Sequence, residues 1–369
     1  MKQPIRVLAL TLYPDQFSSR IRIGFFKEPL RDLGVEMEIS PPISREQFDR
    51  EYLGDRQERF HYHLTELRNR MKQLHLTQKY DILWIQKGLA LFPWRTLGLC
   101  KTLFANRVVV DIDDDVVDSP PVDVRGWRRI LGTSMQMTQA IGSADWVLAG
   151  SKELADSLAK LNPRVEVFPS TIPLSRVSRS NNPRGVESGP TLIWIGTASN
   201  RKYLNLIGPS LSRLSEKIPG LSLRVISDGL AGIDLESFNP CPVVLETWTP
   251  ETEYEALSKG WVGVIPLDRS EWAQRKGGYK ILQYFAAGLP TVGSSVGANN
   301  DLILPGVNGY LADSPKDWEE CLHRLLTDPS QRMTFGLAGQ QLVENEYSTE
   351  GQAEKLAALF KKLAGRPRF

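Results

Sequence analysis

Short runs of consecutive apolar, often β-branched residues recur along the chain, separated by longer stretches whose apolar positions repeat with helical spacing. The runs predict strands at Ile5–Leu10, Asp81–Gln86, Arg107–Ile112, Trp146–Ala149 and Val165–Phe168. After a break the scheme repeats at Thr191–Ile195, Leu221–Ile226, Val243–Glu246, Val262–Leu267 and Thr291–Val292. Unbroken apolar runs of this length belong to parallel strands covered by helices on both faces, and the intervening stretches supply the crossover helices. The break, Arg176 to Pro190, contains Ser-Arg-Ser-Asn-Asn-Pro-Arg-Gly and no apolar periodicity, which makes it a linker. The organisation expected is therefore α/β, with two Rossmann-like domains: 1–178, a linker at 179–190, 191–345, and a C-terminal helix at 346–369 that returns to the first domain. A polar, helix-favouring stretch at about 45–78 has charges spaced for i,i+4 pairing and is expected as a surface insertion. Paired domains of this kind place a ligand in a cleft between them, at the carboxyl ends of both sheets.

Composition narrows the function. A chain of 369 residues exceeds the usual size of one hydrophobic core, in keeping with two domains. With 45 basic against 43 acidic residues the net charge is only +2, which lacks the dominant basic field of a nucleic-acid binder. Cys100, Cys241 and Cys321 are odd in number and far apart, so neither a disulfide framework nor a cysteine metal site is expected. His61, His63, His75 and His323 have no ligand partners at zinc spacing. The apolar start is too short for a signal peptide, and no apolar run is long enough to span a bilayer. These features predict a cytoplasmic protein, with weak peripheral attraction to the inner face of an anionic membrane left open.

The richest chemistry lies in Arg275-Lys276-Gly277-Gly278-Tyr279-Lys280-Ile281-Leu282-Gln283-Tyr284, followed by Ala286-Ala287-Gly288-Leu289-Pro290. Gly277 and Gly278 precede an amphipathic helix that Gly288 and Pro290 end. Glycines before a helix let the backbone approach an anion and aim free N–H groups at it. Lys276 and Lys280 flank that helix start, so two ammonium groups and a helix dipole would neutralise a diphosphate as its charge develops. A second strand-to-helix turn, Trp194-Ile195-Gly196-Thr197-Ala198-Ser199-Asn200-Arg201-Lys202, offers a further candidate phosphate cradle. In the first half, Asp111-Ile112-Asp113-Asp114-Asp115 closes an apolar strand. Asp113 or Asp114 there would hydrogen-bond an acceptor hydroxyl or act as a base; Mg²⁺ binding and plain helix capping are the other readings. Trp84, in the middle of its strand, is expected in the core.

These segments resemble glycosyltransferase family 4, retaining enzymes of the GT-B fold. The resemblance is carried by Trp194-Ile195-Gly196, Trp248 before an acidic helix, Lys276 through Tyr284, Ala286 through Pro290, Ser295-Val296-Gly297 and Pro305 through Leu311. In the first half it is carried by Ser18-Ser19-Arg20-Ile21-Arg22, Ile85-Gln86-Lys87 and Asp111 through Asp114. It implies a nucleotide-diphosphate sugar donor held by the second domain, an acceptor glycan or lipid-linked glycan on the first, and no resident metal or tightly bound cofactor. Donor contacts would come from Gly196, Thr197, Asn200, Lys202, Trp248, Lys276, Gly277, Gly278, Tyr279, Lys280 and Gln283. A Ser18-Ser19 loop, with Arg20 or Arg22 adding charge, would lie against the diphosphate where many relatives have a Gly-Gly turn; a surface helix start is the other reading of these arginines.

The chain departs from the family pattern in three places. Arg275 and Gln283 stand where many relatives have two glutamates, Thr197 stands in place of an arginine, and no histidine lies near the acidic cluster. Gln283 keeps the ability to donate to and accept from a ribose hydroxyl. The expected activity is retaining sugar transfer in surface polysaccharide or glycoconjugate synthesis. A catalytically inactive nucleotide-sugar-binding partner and a GT-B nucleotide-sugar epimerase are the rival readings.

Overall fold

The structure is a computed structural model that describes residues 3–11, 17–44, 46–48, 61, 65, 68–70, 72–73, 77–86, 107–113, 138, 140–177 and 189–365. Most of the 45–78 insertion, the 178–188 part of the linker, Lys87 and Asp114 lie outside these residues. The chain forms two compact units, one of residues 1–170 with 349–369 and the other of residues 171–348. The helix Thr349–Ala364 is thus part of the first unit, where Ala353, Leu356 and Phe360 pack into its core.

Among the described residues, each unit is built on one six-stranded, all-parallel sheet. The first runs β2-β1-β3-β4-β5-β6, with β1 Ile5–Leu10, β2 Val35–Ser40, β3 Ile82–Gln86, β4 Arg107–Ile112, β5 Trp146–Ala149 and β6 Val165–Val167. The second runs β12-β11-β10-β7-β8-β9, with β7 Thr191–Ile195, β8 Ser222–Ser227, β9 Val243–Thr247, β10 Val262–Ile265, β11 Thr291–Ser294 and β12 Gly309–Ala312. Continuous apolar runs serve both faces at once. In β1, Val7 and Ala9 join one core cluster while Leu8 and Leu10 join another; in β7, Leu192 and Trp194 face one cluster and Ile193 and Ile195 the other. Successive side chains of a strand point to opposite faces, so a helix layer on each side demands apolar residues at every position. Trp84 is fully buried between Phe26 and Phe360, as its place in a central strand requires.

The edges of the sheets depart from the sequence-based expectation. β2 and β12 escaped it because each pairs on one side only: β2 alternates buried Val35 and Met37 with exposed Glu36 and Glu38, and β12 holds four residues led by a glycine. β9 was expected to be covered on both faces, yet Val244 and Leu245 are exposed because this strand is the last in its sheet. Edge strands need neither continuous apolar sequence nor helices on both sides.

In the second unit β7 and β10 lie side by side, yet the chain leaves β7 toward β8 and leaves β10 toward β11. The loops after the two strands diverge, and such a topological switch point leaves a crevice beyond their carboxyl ends. The Tyr284 hydroxyl fixes the pair, accepting from the Ile195 amide of β7 at 3.0 Å and donating to the Val264 carbonyl of β10 at 3.3 Å. Its ring lies where a Cβ on Gly263 would come within 2.3 Å, so glycine is required at that point of β10. Tyr284→Phe leaves the buried Ile195 amide without its acceptor and is expected to destabilise the protein by about 1–3 kcal/mol, read as an earlier urea unfolding midpoint.

Candidate functional site

The two loops at the switch point are the two that the sequence singles out. Gly196 ends β7 and opens the turn of 3₁₀-helix Ala198–Leu206; the loop after β10 passes through Arg275-Lys276-Gly277-Gly278 into the helix Tyr279–Ala286. Gly278 caps that helix at φ 69°, a left-handed conformation that favours glycine, and a Cβ there would also sit 2.4 Å from the Leu302 side chain. Gly297 (φ 51°) brings the neighbouring loop so close that a Cβ would lie 2.2 Å from the Gln274 carbonyl. The helix start is therefore wedged in place by backbone contacts that only glycines permit. The backbone N–H groups of Gly277, Gly278 and Lys280 have no hydrogen-bond partner among the described residues. They form the positive end of the helix dipole.

Lys280 points from this helix to the end of β7. Its Nζ lies 4.6 Å from the centroid of the Trp194 ring, and a Cβ at Gly196 would come within 2.6 Å of the same ammonium. Gly196 is thus the space that Lys280 occupies. Among the described residues the half-buried Lys280 ammonium has no hydrogen bond or ion pair. Burial, reinforced by the charge of Lys276, pushes its pKa down to about 7. Burial disfavours a cation with no counter-charge among the described residues, and an anion beside it would relieve that cost.

Lys276 stands beside it, donating from Nζ to Asn200 Oδ1 at 2.6 Å; Asn200 in turn donates from Nδ2 to Thr197 Oγ1 at 3.0 Å. The Lys276 ammonium lies 5.7 Å from the Tyr203 ring centroid and 5.6 Å from that of Trp272. Lys202, exposed, approaches the same Tyr203 ring at 5.1 Å, so three lysines converge around this turn. The Tyr203 phenol is raised above its ordinary pKa by burial and by Asp268, against a hydrogen bond with Ser270. Gln283, one turn into the helix, is 4% exposed and makes no side-chain hydrogen bond to a described residue, which leaves its amide available to a ligand. Tyr279 is half-buried at the first position of the helix and packs against the adjoining core.

Two charged groups serve the scaffold. Arg201 is buried and pairs with Asp228 at 3.1 Å, while Ser227 donates to the Gly196 carbonyl at 2.8 Å; together they tie the ends of β7 and β8. Trp248, at the end of β9, donates its indole N–H to the buried Glu253 at 3.0 Å. Trp272 and Tyr203, the aromatic neighbours of Lys276, escaped the sequence reading because the four-residue helix Glu271–Gln274 and the 3₁₀-helix Ala198–Leu206 carry no amphipathic α-helical period.

In the first unit the Ser18-Ser19-Arg20 segment is helical, within Phe17–Arg22, in place of the expected loop. Ser19 is buried and donates to Gln86 Oε1 at 2.7 Å, and Gln86 donates to Ser18 at 3.0 Å. Arg22, read either as charge against the diphosphate or as a surface charge at a helix start, is fully buried: it donates from Nε and Nη2 to Asp111 Oδ1 at 3.0 and 2.8 Å, and to the Phe168 carbonyl at 2.6 Å. A buried guanidinium needs such partners, and Asp111 is the one that supplies its charge. Arg20 is half-buried over the Phe25 ring at 5.5 Å. Asp113 follows β4 and remains half-buried against Gly150, where a Cβ would lie 2.9 Å from the Asp113 backbone.

Residues 189–328, which contain β7 to β12 and both loops, match the family described as Glycosyl transferases group 1. Spore coat protein SA of Bacillus subtilis is 31% identical over 80 residues, 21% of this chain and 21% of that protein, so the match spans about a fifth of the curated relative. Among solved structures, sucrose-phosphate synthase of Thermosynechococcus elongatus superposes with a TM-score of 0.71 at 16% identity, covering 97% of this chain and 99% of that one. Anabaena HepE in complex with UDP-glucose gives 0.69 at 11% identity over 97% and 100% of the two chains. A glycosyltransferase of Rickettsia africae gives 0.69 at 12% identity over 99% and 100%. The fold is thus GT-B, with two Rossmann-like units. No helix among the described residues is long and apolar enough to cross a membrane.

The lowered pKa of Lys280 sets a pH dependence for the ligand-free protein. Below pH 7 the amine is protonated in both folded and unfolded chains, and the folded state carries the full cost of its burial. Between pH 7 and the ordinary lysine value of 10.5 that cost fades, so its contribution to stability improves as pH rises. Lys280→Met is expected to stabilise the ligand-free protein by about 1–3 kcal/mol at pH 6 and by less at pH 9, measured by denaturant unfolding.

Proposed function

We propose that this protein transfers a sugar from a nucleotide-diphosphate sugar to an acceptor hydroxyl, with retention of anomeric configuration and without a bound metal. The observation that carries this reading is the half-buried Lys280 ammonium, which lacks a counter-charge among the described residues and belongs to the helix that Gly277 and Gly278 open with unpartnered N–H groups. A diphosphate placed there would receive Lys280 and Lys276 at its oxygens, the two lysines and the helix dipole replacing the cation that such a leaving group needs. Charge on the diphosphate grows as the bond to the anomeric carbon breaks, so these groups hold the transition state more tightly than the donor. Gln283 is assigned to a ribose hydroxyl. Gly196, Thr197, Asn200 and Lys202 shape the phosphate turn, and Trp248 backs it.

In the first unit Asp113, with Asp114 next to it in sequence, is assigned to the acceptor hydroxyl. Because Asp111 and the Phe168 carbonyl hold Arg22, the diphosphate contacts proposed for this unit are Ser18, Ser19 and Arg20. The match of residues 189–328 to a glycosyl transferase family supports sugar transfer as the chemistry, and the acceptor class that fits best is a glycan or lipid-linked glycan of a surface polysaccharide or glycoconjugate. HepE is known in complex with UDP-glucose, which makes uridine nucleotides the first to try.

The test is a thermal-shift panel of UDP, GDP and ADP with their sugars, followed by turnover. A nucleotide that binds the native state at about 100 times its Kd adds ~2.7 kcal/mol of apparent stability. Lys276→Ala and Lys280→Met are each expected to weaken binding of that nucleotide about 10- to 100-fold, as befits a lost charge-assisted contact. Unchanged binding in both variants would place the diphosphate elsewhere. Binding without donor turnover or hydrolysis would identify a nucleotide-sugar-binding partner protein instead, and sugar conversion without acceptor an epimerase.

A further inference from the structure

We propose that Trp272 is the platform on which the donor's sugar ring stacks; the assignment rests on the donor site above and names a side chain that selects the sugar. Trp272 is 43% exposed, whereas Trp194 and Trp318 of the same unit are 1% and 4% exposed and lie in its core. An indole left in water on a loop forgoes the burial that stabilises the others. Its position is nevertheless fixed. It belongs to the short helix Glu271–Gln274, whose cap Ser270 accepts from the Ala273 amide at 3.3 Å and donates to Asp268, and Ala273 anchors the turn in the interior.

The placement also selects the occupant. The Trp272 ring centroid lies 5.6 Å from Lys276 Nζ, and Lys276 is itself held by Asn200 at 2.6 Å. A phosphate engaged by Lys276 and Lys280 carries its next covalent group within reach of the indole. In a nucleotide sugar that group is a pyranose, whose C–H-rich face stacks on an aromatic ring while its hydroxyls turn to polar neighbours. Asp268 of this loop accepts from both the hydroxyl and the amide of Ser270 through Oδ1, and the exposed indole of Trp272 offers the ring an apolar surface. The indole thereby favours sugars that present a continuous C–H face and disfavours those in which an axial hydroxyl interrupts it.

The test compares a nucleotide with its sugar conjugate by calorimetry: UDP with UDP-glucose, or GDP with GDP-glucose where the thermal-shift panel selects guanine. Trp272→Ala is expected to leave the nucleotide Kd within about twofold and to weaken the nucleotide sugar about 5- to 10-fold, with Trp272→Phe recovering most of the loss. The melting temperature of the ligand-free variant should stay at the wild-type value, since the indole is exposed. Equal weakening of nucleotide and nucleotide sugar would set the indole against the base or diphosphate and overturn the proposal, and so would unchanged binding of both. If the wild-type protein binds no nucleotide, the donor site itself falls; if it binds the nucleotide normally and the variant fails the comparison, only the role of Trp272 does.

Discussion

The second unit is organised around a cation that has been taken partly out of water and has no anionic partner among the described residues. Lys280 reaches from the start of one helix to the end of β7, lies against the face of Trp194, and fits only because position 196 has no side chain. Keeping an ammonium there is unfavourable in the free protein, and burial together with Lys276 lowers its pKa to about 7. Much of the surrounding architecture serves to hold that arrangement: Tyr284 links β7 to β10, the left-handed Gly278 turns the chain into the helix, and Gly297 lets the neighbouring loop pack beneath it. An anion at this corner offsets the cost with no rearrangement, the kind of preorganisation that electrostatic catalysis requires.

The two units make an instructive contrast in how they treat buried positive charge. Arg22 in the first unit is fully buried, and its guanidinium is met inside the protein by Asp111 Oδ1 and the Phe168 carbonyl. Such a pair joins a helix to the end of β4. Arg201 behaves in the same way toward Asp228. Lys280 differs in having no carboxylate partner among the described residues, and that difference suits it to the anion binding proposed for it. Lys276 donates to Asn200 and lies near the Tyr203 and Trp272 rings.

Local sequence was a good guide wherever the controlling physics is local. Strands covered on both faces require apolar side chains at consecutive positions, so β1, β3, β4, β7 and β8 could be placed to within a residue or so. The Gly-Gly turn ahead of an amphipathic helix likewise announces a helix start, because glycine is the residue that tolerates the left-handed cap. The same reasoning failed at the sheet edges. β2 follows the alternating pattern of a one-sided strand, and β12 is four residues long. The exposure of Val244 and Leu245 in β9 depends on there being no further strand beside it, which its own composition cannot express.

By itself, then, the sequence determined the α/β class, the repeated strand-helix scheme and the glycine-led lysine segment, since each is written in spacings of a few residues. Tertiary structure alone decided which charges are spent and which remain available. Arg22 finds Asp111 across 89 residues of chain, Ser19 finds Gln86 across 67, and Lys276 finds Asn200 across 76. A carboxylate or an amide that distant leaves no mark on the local pattern, so arginines and lysines that look alike along the chain separate into scaffold and site only when folding brings their partners to them or leaves them without one.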